Sequence, residues 1–358
     1  MLLTWIERKV IARMQDRLGP TYAGPAGLLQ PIADGIKMIT KEDNVPGGAD
    51  KWIYNIAPIV AGVAALIVYA VIPFGPDLGG GALVGSSLNI GIFYILSIGS
   101  VGVISNLMAG WGSNNKYALL GAFRGVAQLI SYEVPQVLSL TLVVMLAGSM
   151  DMLQIVNAQT VPFVIPLFIT ALVFLISGVA EVGRTPFDLL EAESEIVAGY
   201  HIEYSAMKFS LFMLSEFVHA FAVSAVFATV FLNGFVGPGP AFLAPLWLML
   251  KSLGVFFFMM WLRGTFPRFR IDQLMAFNWK FLVPLTLVNL LLIAVLNKVL
   301  AASDISAAAA PWTWGLILFA ANVVLLVVSL AILGRVGRRT RVRDERHTAG
   351  RMLPVAGK

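Results

Sequence analysis

Eight long apolar runs constrain the fold of this chain more than any other feature. They cover residues 53–74, 89–110, 119–147, 161–180, 206–233, 241–262, 281–300 and 312–334. About 20 apolar residues cross a hydrocarbon core of ~30 Å as a helix. These runs do not alternate between apolar and polar residues, as the strands of a transmembrane barrel do. We therefore expect an all-α membrane protein. It should be a polytopic transmembrane helix bundle of about eight spans that forms one integral membrane domain over residues 1–358.

The composition excludes several classes of function. Hydrophobic residues make up 58% of the chain and charged residues only 13%, which excludes a water-soluble enzyme and a disordered protein. Cysteine is absent, so the chain has no disulfide framework, no thiolate zinc site and no Cys-ligated iron–sulfur cluster. Three histidines are too few for a multi-haem cytochrome. We expect no metal electron carrier of these kinds in this chain.

The distribution of Lys and Arg predicts the orientation. Segments 1–52, 111–118, 181–205, 263–280 and 335–358 hold 7, 1, 1, 4 and 8 of them. The loops between the alternate spans, 75–88, 148–160, 234–240 and 301–311, hold none. The positive-inside rule then places the first loop (7–51), the acidic loop (181–205) and the basic tail (335–358) in the cytoplasm. The net charge of +5 thus reflects topology and attraction to lipid, and no nucleic-acid partner is expected.

The first loop contains an amphipathic segment. Its apolar residues follow helical spacing, and they are Leu28, Leu29, Ile32, Ile36 and Ile39. Its polar residues, among them Asp34 and Lys37, fall elsewhere. This pattern predicts a short interfacial helix that lies along the membrane surface. Two roles stay open, a lipid-surface anchor and the floor of a ligand entrance.

Ionisable residues inside the apolar runs are the main candidates for chemistry. They are Arg124, Glu133, Glu181, Glu216, His219 and Lys251. Each costs roughly 2.5–3.5 kcal/mol at a helix centre on insertion scales, so a functional role is the default interpretation. Snorkelling explains Arg124, which lies near a span end, better than it explains Glu133 and Glu216. His219 fits an ordinary interior histidine, and Lys251 fits either interpretation.

The acidic loop opposes the positive-inside preference. It holds six carboxylates against one Arg184, namely Glu181, Asp188, Glu191, Glu193, Glu195 and Glu203. If Pro186 opens a helix, then Asp188, Glu191 and Glu195 share one face. Crowding and burial raise the pKa of such carboxyl groups toward neutrality, which suits a proton path. A metal-cation site and a solvated acidic face remain alternatives.

Nine short motifs then occur in a characteristic order. They are Glu7-Arg8-Lys9 and the segments 15–20, 27–37, 111–124, 130–133, 180–195, 203–204, 267–270 and 272–275. This set resembles the H subunit, the membrane quinone-site subunit, of proton-pumping NADH:quinone oxidoreductase, respiratory complex I. The resemblance covers roughly residues 2–300, and the last run, 312–334, lies outside the commonest family core.

The resemblance implies a role at the junction of two arms. Such a protein forms a quinone-binding chamber with two peripheral-arm subunits, and its acidic residues lead toward antiporter-like subunits of the membrane arm. Quinone is the substrate, no cofactor is bound covalently, and no metal site is expected. Flavin and iron–sulfur clusters belong to partner subunits. The expected location is the bacterial cell inner membrane, as a multi-pass protein in contact with lipid.

The resemblance also assigns residues. Those matching the quinone chamber are Gln15, Arg17, Gly19, Pro20, Asp34 and Lys37. Those matching the proton path are Glu133, Glu181, Glu191, Glu193, Glu195, Glu203 and Glu216. Those matching positions that balance or anchor these loops are Arg184, Arg263, Arg268 and Arg270.

Two alternatives and one departure accompany the resemblance. A homologous membrane protein of an energy-converting hydrogenase would share these motifs, whereas a lone proton or cation transporter often shows inverted repeats, and no repeat is visible.

The family carries a full span before Glu7, but residues 1–6 reach only about 9 Å as a helix. We expect a start site assigned too late and a natural protein of nine spans, rather than a genuinely shorter protein.

Overall fold

A bundle of long helices makes up the computed structural model, which describes residues 2–77, 82–190, 197–303, 307 and 309–351. The α-helices in the described ranges are α1 (Leu2–Met14), α2 (Gln30–Thr40), α3 (Lys51–Ile67), α4 (Gly91–Gly112), α5 (Lys116–Ala147), α6 (Met152–Ala158), α7 (Phe168–Val182), α8 (Ala206–Phe231), α9 (Ala244–Thr265), α10 (Ile271–Phe277), α11 (Val283–Ala302) and α12 (Pro311–Arg351). One small antiparallel hairpin joins β1 (Gly75–Asp77) to β2 (Ala82–Leu83).

Seven helical segments are long and apolar enough to cross a membrane. They are Lys51–Val71, Gly91–Gly112, Lys116–Ala147, Ala206–Phe231, Ala241–Thr265, Ile271–Ala302 and Pro311–Arg335. An eighth apolar helix, Phe168–Val182, is shorter. The prediction of an all-α polytopic bundle is confirmed, and the eight apolar runs correspond to these eight helices.

The span predicted over 161–180 is wrong in its first third. Residues 163–167 form turns, and α7 has only 15 residues, or about 22 Å of helix. Pro162 and Pro166 interrupt the backbone hydrogen bonds there, and such a break inside a membrane needs polar partners within the protein. Asn322 of α12 supplies them, because its Nδ2 donates to the Pro166 carbonyl at 2.9 Å and its Oδ1 accepts from the Ile169 N–H at 3.4 Å.

The first loop contains more helix than the sequence predicted. Helix α1 continues through Glu7 to Met14 and packs against α9, so Glu7 lies within a helix of the bundle rather than in a loop. Helix α2 agrees with the predicted amphipathic segment. Its apolar face is solvent-exposed in the isolated chain, from 47% at Ile32 to 67% at Ile39, as expected for a helix that lies against lipid.

Helices α3, α4, α5, α7, α8 and α9 pack side by side around the bundle centre. Helix α5 contains Pro135, which has no N–H and so leaves the Ser131 carbonyl without its helical partner. Asn278 replaces that partner, since its Nδ2 donates to Ser131 O at 2.6 Å. Asn278 begins a π-helical turn, Asn278–Leu282, that joins α10 to α11. Helix α10, the π-helical turn and α11 therefore form one continuous span that starts at Ile271, ten residues before the predicted run 281–300.

Candidate functional site

A buried ion-pair cluster connects four elements near one end of the bundle. Glu7 of α1 accepts a hydrogen bond from Arg184 at 2.7 Å through Oε2, and its Oε1 accepts from Arg263 of α9. Arg184 also contacts Glu216 of α8, with Nε 3.2 Å from Oε1. Two carboxylates and two guanidinium groups thus balance in charge, which lowers the cost of burying them.

Arg184 lies at the centre of this cluster. Its side chain is only 2% exposed, and its guanidinium carbon lies 4.6 Å from the ring centroid of Phe217 and 5.6 Å from that of Phe256. Aromatic faces attract a desolvated cation. The guanidinium is therefore held by two carboxylates and two rings.

A second polar pair lies beside the first cluster. His219 follows Glu216 by three residues on α8, and its Nε2 is 3.3 Å from Oε1 of Glu181 at the end of α7. The other oxygen of Glu181 accepts a hydrogen bond from Gln136 Nε2 at 2.6 Å. Glu133, three residues before Gln136 on α5, accepts from the Ser100 hydroxyl at 3.1 Å and interacts electrostatically with Glu181.

Local backbone features hold Glu181 in place. Gly183 caps the carboxyl end of α7, and its φ of +73° is one that favours glycine. Gln128 of α5 donates to the carbonyls of Ala180 at 2.8 Å and Phe187 at 2.6 Å, so it ties down both sides of the turn. Gly99 of α4 leaves room for the carboxylate, since a Cβ there would lie 2.9 Å from Oε1 of Glu181.

Two cavities meet at the Glu181–His219 pair. The larger, of about 90 Å³, is also lined by Glu216 and by polar residues of α4 and α8 that include Ser105 and Asn106. The smaller, of about 20 Å³, is lined by Gln136 and otherwise by apolar side chains. One ordered water needs roughly 10–15 Å³ of such volume. The larger cavity therefore has room for a chain of several waters between Glu216 and the pair.

The end of the acidic loop is anchored to the bundle. Tyr204 stacks on Tyr54 of α3 with ring centroids 4.1 Å apart, and Asn115 Nδ2 donates to Glu203 Oε1 at 2.7 Å. Burial lowers the pKa of His201 in this loop to about 4, so that imidazole is neutral at pH 7. Glu203 therefore lies beside the turn between α4 and α5, and it lines neither of the two cavities at Glu181.

The residues predicted for a quinone chamber lie around α1 and α2. Gln15 and Arg17 are exposed at the end of α1, and Arg17 Nε donates to Gln15 Oε1 at 2.7 Å. Asp34 of α2 contacts Arg8 of α1 at 2.7 Å and Lys37 at 3.8 Å. Partial burial alone would raise the pKa of Asp34, but hydrogen bonds from Arg8 and the neighbouring Gln30 hold it below its usual value.

The remaining chamber residues form the turn between α1 and α2. Gly19 and Pro20 are half-buried. A Cβ on Gly27, which has a φ of +76°, would lie only 2.2 Å from the Pro20 carbonyl oxygen, so only glycine fits there. The six predicted residues thus gather around α1 and α2, but they do not line either cavity described above.

Several predictions need correction. Pro186 does not begin a helix through residue 190, because residues 184–190 form turns and bends. The other members of the predicted acidic face, Glu191 and Glu195, lie outside the described residues, as does Glu193. Lys251 has a structural role, since its Nζ donates to three backbone carbonyls in the turn after α8, those of Leu232, Gly234 and Val236, at 2.6–2.9 Å.

Two residues matter more in the structure than the sequence indicates. The sequence places Glu7 in a motif but does not mark it as a site residue, and it is only 3% exposed. The available signal is its helical spacing from the apolar Leu3 and Ile11, which places it on the packed face of α1. His219 fits an ordinary interior histidine in the sequence, because no sequence pattern pairs it with Glu181. In the described part of the chain, no group of three or more His, Asp or Glu could hold a metal ion.

Comparisons with known proteins agree over most of the chain. A family model described as NADH dehydrogenase matches residues 1–294. The H subunit of NADH-quinone oxidoreductase from Dehalococcoides mccartyi is 54% identical over 310 residues, which cover 86% of this chain and 85% of that protein. An H subunit of the same enzyme from Syntrophobacter fumaroxidans is 49% identical over 295 residues, 81% of this chain and 88% of the relative. One from Geobacter metallireducens is 47% identical over 298 residues, which cover 81% of this chain and 89% of that protein.

Proposed function

Because this chain belongs to the NADH dehydrogenase family as a membrane subunit of the NADH-quinone oxidoreductase type, we propose that it links quinone reduction to proton translocation. In this proposal α1 and α2 form part of a quinone-binding chamber, and buried carboxylates carry protons into the membrane. The chain then contributes to a proton-translocating enzyme without containing a complete active site of its own.

The ion-pair cluster is the observation that carries the proposal. Glu7 lies on α1, the helix that directly precedes the proposed chamber residues Gln15 and Arg17. It contacts Arg184, which contacts Glu216. A charge change near the chamber therefore alters the field at Glu216 through one guanidinium group, in a site where low dielectric strengthens the interaction. Beyond Glu216 the larger cavity leads to Glu181, and Glu133 lies next in line.

The proposed path continues toward other subunits. Glu133 lies 17 residues into the 32-residue α5, near the middle of a helix about 48 Å long. Protons that reach Glu133 are there at membrane depth, where antiporter-like partners of the membrane arm would accept them. Glu203 and the acidic residues Glu191, Glu193 and Glu195 are proposed to supply protons from the cytoplasmic side.

The quinone chamber needs partners. Gln15, Arg17, Asp34 and Lys37 present polar groups beside the exposed apolar face of α2, an arrangement that suits a polar head group with an apolar tail. Peripheral-arm subunits would close the chamber and bring the electrons. Since this chain contains no cysteine, thiolate-bound clusters must belong to those partners. The proposed location is the inner membrane of a bacterium, oriented by the positive-inside rule.

The alternatives receive less support. The relatives compared above are all named as H subunits of NADH-quinone oxidoreductase, which favours that complex over a hydrogenase. A lone transporter would not need the polar group around α1 and α2. The metal-cation alternative has no ligand cluster in the described residues.

Replacement of Glu216 tests the proposal. Glu216→Gln keeps the volume of the side chain but cannot titrate, so it should abolish most proton translocation and slow quinone-linked turnover in the assembled complex. NADH oxidation by an artificial acceptor reports how much complex has assembled. Glu42→Gln, the same change at an exposed carboxylate, is the control. Unchanged translocation and turnover per assembled Glu216→Gln complex would refute the proton path.

A second variant tests the chamber. Arg17→Glu reverses a charge at an exposed position, so it should impair quinone reduction while oxidation by the artificial acceptor continues. Equal loss of both reactions in assembled complex would refute a quinone role for this segment.

A further inference from the structure

We propose that His219 is a proton-relay residue that passes protons between the larger cavity and Glu181. This inference rests on the proposed function, since it names one more carrier in the proposed path. It assigns to the histidine a task that the buried carboxylates cannot perform alone, because the larger cavity separates Glu216 from Glu181.

The position of the pair supports a relay. His219 and Glu181 line both cavities, so the hydrogen-bonded pair forms the boundary between them. Their side chains are only 22% and 13% exposed. A proton that moves from one cavity toward the other must therefore pass these two side chains or go around them.

The two sides of the boundary differ in polarity. The larger cavity has apolar walls but also carries Glu216, Ser215, Asn106 and Ser105, and the buried Ser105 hydroxyl has no partner among the described residues. Several polar groups, one of them an unsatisfied hydroxyl, suit ordered water. The smaller cavity is lined by valine, leucine, isoleucine, alanine and phenylalanine side chains apart from Gln136 and the pair itself. The Glu216 side of His219 thus has the room and the polar groups that a chain of waters needs.

The chemistry needs only proton transfers. Neutral imidazole with hydrogen on Nε2 donates to Glu181 and keeps Nδ1 as an acceptor. A protonated cavity water gives a proton to Nδ1, the Nε2 proton passes to Oε1 of Glu181, and the imidazole is left neutral with hydrogen on Nδ1. An O–H bond of the protonated water breaks as the Nδ1–H bond forms, and the Nε2–H bond breaks as an O–H bond forms on Glu181. Histidine is suited to this step because its two nitrogens can exchange roles near pH 7.

The charged and titratable neighbours of His219 are few. Glu181 faces it from α7, and Glu216 interacts with it electrostatically from its own helix. Tyr69, just after α3, donates its hydroxyl to the carbonyl of Val218 at 2.7 Å. Arg184 of the first cluster is engaged by Glu216 and Glu7. Glu181 and Glu216 are thus the two carboxylates that interact with the imidazole.

The test uses the assembled complex in sealed membrane vesicles. His219→Asn keeps a polar amide at this position but cannot relay a proton, so quinone-linked turnover per assembled complex should fall at least tenfold. His201→Asn, the same change at a buried histidine outside the proposed path, should keep turnover and translocation within twofold of wild type. Assembly is measured as NADH oxidation by an artificial acceptor, so turnover is always compared per complex.

A second measurement separates a relay from a purely structural role. In His219→Ala the space vacated beside the larger cavity admits imidazole, and added imidazole should restore turnover in a concentration-dependent way. Methylimidazoles of different pKa should shift the pH profile of the rescued rate, which a packing role would not do. If the Asn variant fails to assemble, His219→Gln and His219→Ala replace it in the same comparison.

The results distinguish this inference from the proposed function. Turnover within twofold of wild type in any assembled His219 variant overturns the relay. If Glu216→Gln still blocks translocation in that case, the carboxylate path stands without His219. If Glu216→Gln is also without effect, the proposed function itself fails. Loss of turnover without rescue by imidazole also overturns the relay, because the role of His219 is then structural.

Discussion

Arg184 offers the sharpest test of how the site is held together. Arg184→Met replaces the guanidinium with an apolar side chain of similar length, and it removes the partner of Glu7 at 2.7 Å and of Glu216 at 3.2 Å. Arg263, which is 37% exposed, then remains as a cation partner of Glu7. Removing one member of a buried ion pair costs about 3–5 kcal/mol.

The chemistry of the carboxylates limits this cost. A carboxyl group with an ordinary pKa near 4.3 can instead take up a proton at pH 7 for roughly 4 kcal/mol. We therefore expect Arg184→Met to lower stability by about 3–4 kcal/mol. The loss should shrink at acidic pH, where protonation is easier. Adding Glu216→Gln should recover part of it, because the second variant removes the carboxylate that has lost its ion-pair partner.

Thermal inactivation of the assembled complex measures this loss. Arg8→Met is the matched control, since Arg8 forms an ion pair with Asp34 at the same 2.7 Å but is 53% exposed. Surface pairs contribute about 0.2–1 kcal/mol, so the control should barely lower the inactivation midpoint while Arg184→Met lowers it by several degrees. Equal midpoints in the two variants would refute the reasoning that burial makes this cluster critical.

Three further predictions concern single positions. Gly99→Ala places a Cβ 2.9 Å from Glu181 Oε1, so it should displace the carboxylate and reduce coupled turnover severalfold without loss of assembly; wild-type turnover would contradict this. Lys251→Met removes three hydrogen bonds to the carbonyls of residues 232–236, so it should lower stability by about 2 kcal/mol. Hydrogen exchange in that turn after α8 should become faster, and unchanged exchange would disprove this prediction. His201 has a folded pKa of about 4 against an ordinary 6.5, so its stabilising effect should be present above pH 6.5 and lost as the pH falls toward 4. Hydrogen exchange in residues 197–205 should accelerate over that range, and His201→Gln should abolish the effect.

The sequence alone predicted the bundle because hydropathy and helical spacing are local properties. Eight apolar runs gave eight apolar helices, and the spacing of Ile32, Ile36 and Ile39 gave the exposed face of α2. The expected long helix over 161–180 failed because Pro162 and Pro166 interrupt it, and both prolines are visible in the sequence. The sequence did not reveal the role of Asn322, which lies 156 residues after Pro166. Its side chain donates a hydrogen bond to the Pro166 carbonyl and so makes the interrupted helix tolerable.

The tertiary structure decided which charged groups meet. Glu7 and Arg184 are 177 residues apart, and Glu7 and Arg263 are 256 apart. No local pattern records such a pairing, because it depends on how α1, α8 and α9 pack. The sequence therefore determined which carboxylates lie in the membrane and flagged them as costly. Packing alone determined that Glu216 is balanced by Arg184 while Glu181 is paired with His219, since the free energy of a buried charge depends on its neighbours in space.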